Sequence, residues 1–221
     1  MLTSQTALEY TIANVPNSKL VNHMKIVGQC LYWYAQKLKY YEVTIPVATE
    51  SEIEKINPEN WKIAGILHDA DWETHPDLHP ATIVAHLKEI GMDDEIVNAI
   101  HSHANTSWAE TQEGGNNAVV TLNGESTTIP RVIERKTLLD RMLFAVDEMS
   151  GIIFASSLMK PDHLDTLEAS SVLKKIKDKG FAKGVSREDL VQGCEEIEVS
   201  MEEHITNMIH AMREIRDEIY I

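Results

Sequence analysis

The chain has 221 residues, with 20 Lys and Arg against 35 Asp and Glu, a formal net charge of -15, and 43% hydrophobic residues. That length can bury a substantial core within one large domain, and no run is apolar for long enough to span a bilayer. An acidic chain lacks the basic face that phosphate neutralisation needs, so no nucleic-acid partner is expected. The two cysteines, Cys30 and Cys194, have no paired spacing and argue against both a disulfide framework and a thiolate zinc site. The N-terminal stretch MLTSQTALEY has neither a basic start nor an apolar signal core, so a cytoplasmic protein without membrane attachment is expected.

Asn17 or Ser18 can cap a helix running towards Tyr40, in which Leu20, Met24, Val27, Leu31, Tyr34 and Leu38 recur at helical spacing and His23 borders the inward stripe. Asn57-Pro58 is a helix start, and the apolar run WKIAGIL would deliver His68 and Asp69 to that helix's C-terminal end. Residues 73–80 contain Pro76 and Pro80 and are expected to form a loop carrying His75 and His79, with Glu73 weighed as a water-orienting base and judged more at home on the surface. A helix follows to about Gly91, and Asp93 caps the next, which ends near His101 and His103, only one of which need face a shared site.

Over residues 111–131 the helical pattern stops. AVVTL and ESTTIP flank Asn123-Gly124 and predict a β-hairpin, placed either at the site mouth as a lid or on the surface as a plain insertion. From Thr137 to about Met159 an apolar helix places Asp147 beside Leu143 and Val146, where a buried carboxylate demands compensation that a metal can supply. The other reading is a solvent-facing acid beside Glu148, and the spacing leans towards the metal. Shorter helices complete the chain, with Ser186 and Ser200 as caps. Between Ser171 and Arg187 the lysines outnumber the single acid Asp178, and Lys175 and Lys179 are candidates for drawing in an anionic substrate, although a solvated face is the weightier reading. His86, His163, His204 and His210 are assigned to packing or surface. The triplet Asn105-Thr106-Ser107 matches a glycosylation acceptor that a chain without a secretory signal has no use for.

The order His23, His68-Asp69, His79, His103, Asp147 has the composition of a dispersed metal site. Imidazole and carboxylate without thiolate suit manganese, iron, cobalt, nickel or zinc. With NHMKIVGQCLYWYAQKL, WKIAGILHDADWETHPDLHP, AIHSHA and LLDRMLFAVDEMSGII around those residues, the chain resembles the HD phosphohydrolase superfamily. Its tail SVLKKIKDKGFAKGVSREDL is similar to that of small stand-alone bacterial HD proteins.

The resemblance implies an all-α HD helical bundle over 1–221 as a single domain, with the 111–131 hairpin as an insertion and 160–221 as a C-terminal helical extension. It implies His23, His68, Asp69 and Asp147 around a first divalent ion, and His79 and His103 on a second if one is held, with Asp69 between them. His68 and Asp69 would be the catalytic pair, acting on a small phosphate ester such as a nucleotide. Two other functions use the same ligands: a di-iron oxygenase on the HD fold, and a nucleotide-sensing regulatory module without turnover. Substrate, native metal and oligomeric state stay open.

Overall fold

The structure, a computed structural model, describes residues 3–104 and 106–220, so Asn105 of the glycosylation triplet lies outside the described residues. It is mostly helical. In chain order come α1 (Ser4–Asn14), α2 (Ser18–Lys39), α3 (Glu50–Lys55), α4 (Pro58–Leu67), a single 3-10 turn at Pro76–Leu78, α5 (Ala81–Glu89), α6 (Asp94–Ser102) and α7 (Thr106–Thr111). An antiparallel hairpin, β1 (Asn117–Leu122) and β2 (Glu125–Pro130), precedes α8 (Leu138–Ser157), α9 (Ala169–Lys177), α10 (Arg187–Ile197), α11 (Met201–Arg213) and α12 (Arg216–Ile219). Among the described residues no helix is long and apolar enough to cross a membrane.

Side-chain caps fix the three helices that matter most, and the one at Thr137 was not read from the sequence. Asn17 accepts from Lys19 N at the start of α2, Asn57 accepts from Glu59 N with Pro58 in the first turn of α4, and Thr137 forms a reciprocal capping box with Asp140 at the start of α8. Each such cap stabilises its helix by about 1 kcal/mol. Met24, Val27, Leu31, Tyr34 and Leu38 of α2 are buried, as their spacing requires, and one continuous core joins Ala7 of α1 to Ile219 of α12.

Two close backbone approaches set the position of the site. A Cβ on Gly65 would lie 2.6 Å from both Cα and N of Gly28, so α4 and α2 touch backbone to backbone there. The helices run in opposite directions, and His23 and His68 therefore emerge at the same end of the crossing, with ring centroids 5.2 Å apart. Likewise a Cβ on Gly193 would meet Cα of Ala145 at 2.8 Å, which seats α10 directly on α8.

Helices α1 and α3 were not anticipated. The buried positions of α1 are Ala7 and Thr11, one small and one polar, and α3 buries none of its six residues, so neither carries an apolar stripe to announce it. Thr11 nevertheless matters, because its hydroxyl donates to Ile66 O at 3.1 Å, a carbonyl left without a helical partner at the end of α4.

Candidate metal centre

His68 and His103 are set by the same local device. Each is the C-terminal cap of its helix, α4 or α6. Its Nδ1–H donates to the carbonyl three residues back: His68 to Gly65 O at 2.8 Å and His103 to Ile100 O at 2.6 Å. A carbonyl can only accept, so the proton is on Nδ1 and the Nε2 lone pair points away from the helix. The negative ends of both helix dipoles also face the space beyond, which favours a cation there.

The other two histidines follow the same logic with different partners. His79 Nδ1 donates to Asp71 Oδ1 at 2.6 Å, while the second oxygen of Asp71 accepts from Ile83 N in the first turn of α5 at 2.9 Å. His23 Nδ1 lies 3.2 Å from the Ser150 hydroxyl, which itself donates to Asp147 O at 2.8 Å and so accepts from His23. All four Nε2 atoms are thereby turned towards carboxylates. His23 Nε2 is 2.9 Å from Asp147 Oδ1, and His68 Nε2 is 3.4 Å from both Asp147 Oδ1 and Asp69 Oδ2. On the other side of Asp69, Oδ1 faces His79 Nε2 at 3.5 Å and His103 Nε2 at 3.6 Å, and those two nitrogens are 3.2 Å apart.

Lone pairs facing lone pairs at these distances require a positive charge between them. His68, fully buried, has no hydrogen-bond partner for Nε2. The titration of these groups carries the same sign. Burial alone would lower the His68 pKa, yet Asp69 and Asp147 outweigh it and hold it well above the usual histidine range. Burial would likewise raise Asp69 and Asp147, but His68 leads the groups that keep both carboxyls well below the ordinary range. Burial lowers His103, with help from His79 and His68, and keeps it a neutral imidazole. Two groups of ligand atoms are close enough to hold an ion, His23–His68–Asp147 and His68–Asp69–His103, each set within 4.8 Å. Imidazoles with fixed tautomers, once an ion takes the place of the His68 proton, and ionised carboxylates would form a donor set that manganese, iron, cobalt, nickel or zinc takes.

All six expected ligands are thus brought together, and His23, Asp69, His79, His103 and Asp147 line a cavity of about 570 Å³. The other histidines go elsewhere. His101 turns to Pro130 O at 2.6 Å, His75 is exposed, His86 stacks on Tyr10, and His163 stacks on Tyr220. His204 is buried against Tyr34 and Ala145 O, and His210 is exposed. Exposed Glu73 accepts from Asn17 N at the start of α2, outside the cavity lining. Neither Lys175 nor Lys179 reaches the cavity, and the Lys175 ammonium sits over the Phe181 ring at 4.8 Å.

The hairpin forms as expected, with Asn123 and Gly124 both at positive φ in the turn, but it is not a lid: none of its residues lines the cavity. Its buried face, Ala118, Val120 and Ile129, belongs to the core beside α5. Arg131, at its exit, is 2% exposed and directs every N–H to a carbonyl: Asp77 O from Nε and Nη2, Gly115 O and Asn117 O from Nη1, and Glu113 O from Nη2. Asp77 lies in the loop that ends at His79, so the hairpin braces a ligand from behind.

Several site residues escaped the sequence reading. Asp71, the second acid of HDAD, orients His79, and Trp72 packs edge-on to that ring at 5.0 Å. Glu148, Ser186, Glu188 and Asp189 complete the cavity wall from α8 and the start of α10. Burial, with Asp147, Asp189 and Asp69 nearby, pushes the Glu148 carboxyl up to about 8, and its Oε2 accepts from Ser186 N at 3.1 Å. The HDAD repeat and the Asp-Glu pair at 147–148 were visible signals; the α10 wall had none, because its place depends on Gly193 meeting Ala145. Compared with known protein families, curated proteins and solved structures, the chain finds no match in any of the three.

Proposed function

We propose that this chain is a metal-dependent phosphohydrolase of the HD type, acting on a small phosphate ester. The observation that carries this reading is the convergence of four imidazole Nε2 atoms, each fixed by a hydrogen bond at Nδ1, on Asp69 and Asp147. A divalent ion held there supplies Lewis acidity, lowering the pKa of water and offsetting charge on phosphoryl oxygens.

The chain's residues supply the rest. Asp69 presents one oxygen to His23 and His68 and the other to His79 and His103, and so ties the two ligand groups into one unit. Asp71 holds the His79 tautomer, and Ser150 holds that of His23. In the net step an oxygen from water bonds to phosphorus, the bond from phosphorus to the ester oxygen breaks, and one proton from water ends on the leaving oxygen. Glu148 lines the cavity where that oxygen would depart.

The test is phosphate release from a panel of phosphate monoesters by full-length protein supplied in turn with Mn, Fe, Co, Ni and Zn, beside Asp69→Ala. Release that depends on metal and falls about a thousandfold in the variant is expected, on the scale of losing a group that stabilises transition-state charge. Oxygen consumption by the iron form without phosphate release would replace hydrolysis with oxidation, and tight nucleotide binding without either would make the chain a sensor.

A further inference from the structure

The cavity over the metal centre carries charge of one sign. Four of its lining side chains, Asp69, Asp147, Glu188 and Asp189, are carboxylates and none is lysine or arginine, which is the wrong lining for a polyphosphate. The guanidinium groups closest in sequence to the lining are already engaged. Arg135 is held bidentate by Glu196 at 2.7 Å and 2.7 Å and lies over the Phe144 ring, while Arg187 donates to the carbonyls of Asp178, Phe181, Ala182 and Val185. Among the described residues no lysine or arginine lines the cavity to clamp a second or third phosphate.

The lining also has two aromatic rings. Phe144, 3% exposed, already carries the Arg135 guanidinium over its ring at 3.7 Å, and Trp72, 40% exposed, stands at the His79 side. Aromatic faces beside carboxylates form the environment that binds ammonium groups. That the cavity is built for a ligand follows independently from His68, fully buried, whose unpartnered Nε2 is aimed at the two carboxylates of the cavity floor.

Asp69 and Asp147 belong to the metal ligands, and Glu188 and Asp189 stand on the cavity wall beside them. We propose that the substrate is a phosphomonoester of a small amino alcohol, its phosphoryl group at the metal centre and its ammonium or quaternary ammonium group beside Trp72, Glu188 and Asp189. This inference rests on the phosphohydrolase reading. The reaction forms inorganic phosphate and the free amino alcohol from one water, with the water proton ending on the alcohol oxygen.

The experiment compares kcat/KM of metal-loaded full-length protein for phosphocholine and phosphoethanolamine with that for 3,3-dimethylbutyl phosphate, the isostere of phosphocholine that lacks its cationic charge, and for ATP. The better cationic ester should exceed the isostere by at least about tenfold, the effect of one desolvated cation–aromatic contact, and ATP should be the poorest. In Glu188→Gln/Asp189→Asn that preference should fall towards one through KM, while in Lys175→Glu/Lys179→Glu it should persist. Equal rates for cationic ester and isostere, or ATP as the best substrate, would overturn the substrate class and leave the phosphohydrolase reading standing. Hydrolysis of no ester in any metal form would overturn both.

Discussion

The two sides of the candidate metal centre are held by different forces. His23, His68 and Asp147 stand on α2, α4 and α8, helices locked through the core by the Gly28–Gly65 contact and by His204, which bridges Tyr34 of α2 to Ala145 O of α8. His79 and His103 depend on polar supports. Asp71 and the Arg131 brace fix the loop of His79, and Arg135 donates to Ser102 O beside His103 at 2.8 Å. The apolar side can fail only with the fold, whereas the polar side can be loosened while the fold persists, because a hydrogen-bonded loop opens locally.

The largest effect that separates them lies on the helical side. Burial lowers His204 to about 4, so it is neutral in the folded chain and the unfolded chain takes up its proton first as pH falls. Its contribution is fully present above about pH 6.5 and is lost as pH falls towards 4, by about 3 kcal/mol in all. Urea unfolding with chelator at pH 7.5 and 4.5 should show that loss in wild type and a smaller one in His204→Gln. Equal losses would remove His204 from the helical side.

On the polar side, Asp71→Asn withdraws the charge that orients His79. Metal titration should show the ion nearer His79 and His103 weakened about 10- to 100-fold, the usual cost of losing a ligand's hydrogen-bond partner, with the ion at His23, His68 and Asp147 unchanged. Equal weakening at both positions would dissolve the distinction. The smallest effect belongs to the hairpin tip: Gly124→Ala adds a side chain at φ +86 and should cost about 1 kcal/mol in thermal unfolding without moving KM for any substrate. A changed KM would return the hairpin to the cavity mouth.

The same division governs what was legible in the sequence. His23 and Asp147 stand on helices, and His68 and Asp69 just past the end of one, whose apolar spacing can be read directly, and His79 and His103 follow from helix ends and prolines. Their supports cannot be read that way. Arg131 looks like a surface arginine until four carbonyls, those of Asp77 and of three residues within 113–117, close around it, and Asp189 becomes cavity wall only because Gly193 admits Ala145. The lysines of α9 drew attention as local charge, but position in the fold puts acids, and no lysine, around the cavity.

The most direct test of the centre is the metal content of wild-type protein purified without chelator, measured by elemental mass spectrometry beside His68→Ala. At least one equivalent of manganese, iron, cobalt, nickel or zinc per chain, lost in the variant, is the expected result. Protein without metal, and unable to take it up on addition, would contradict the reading of four converging Nε2 atoms as ligands.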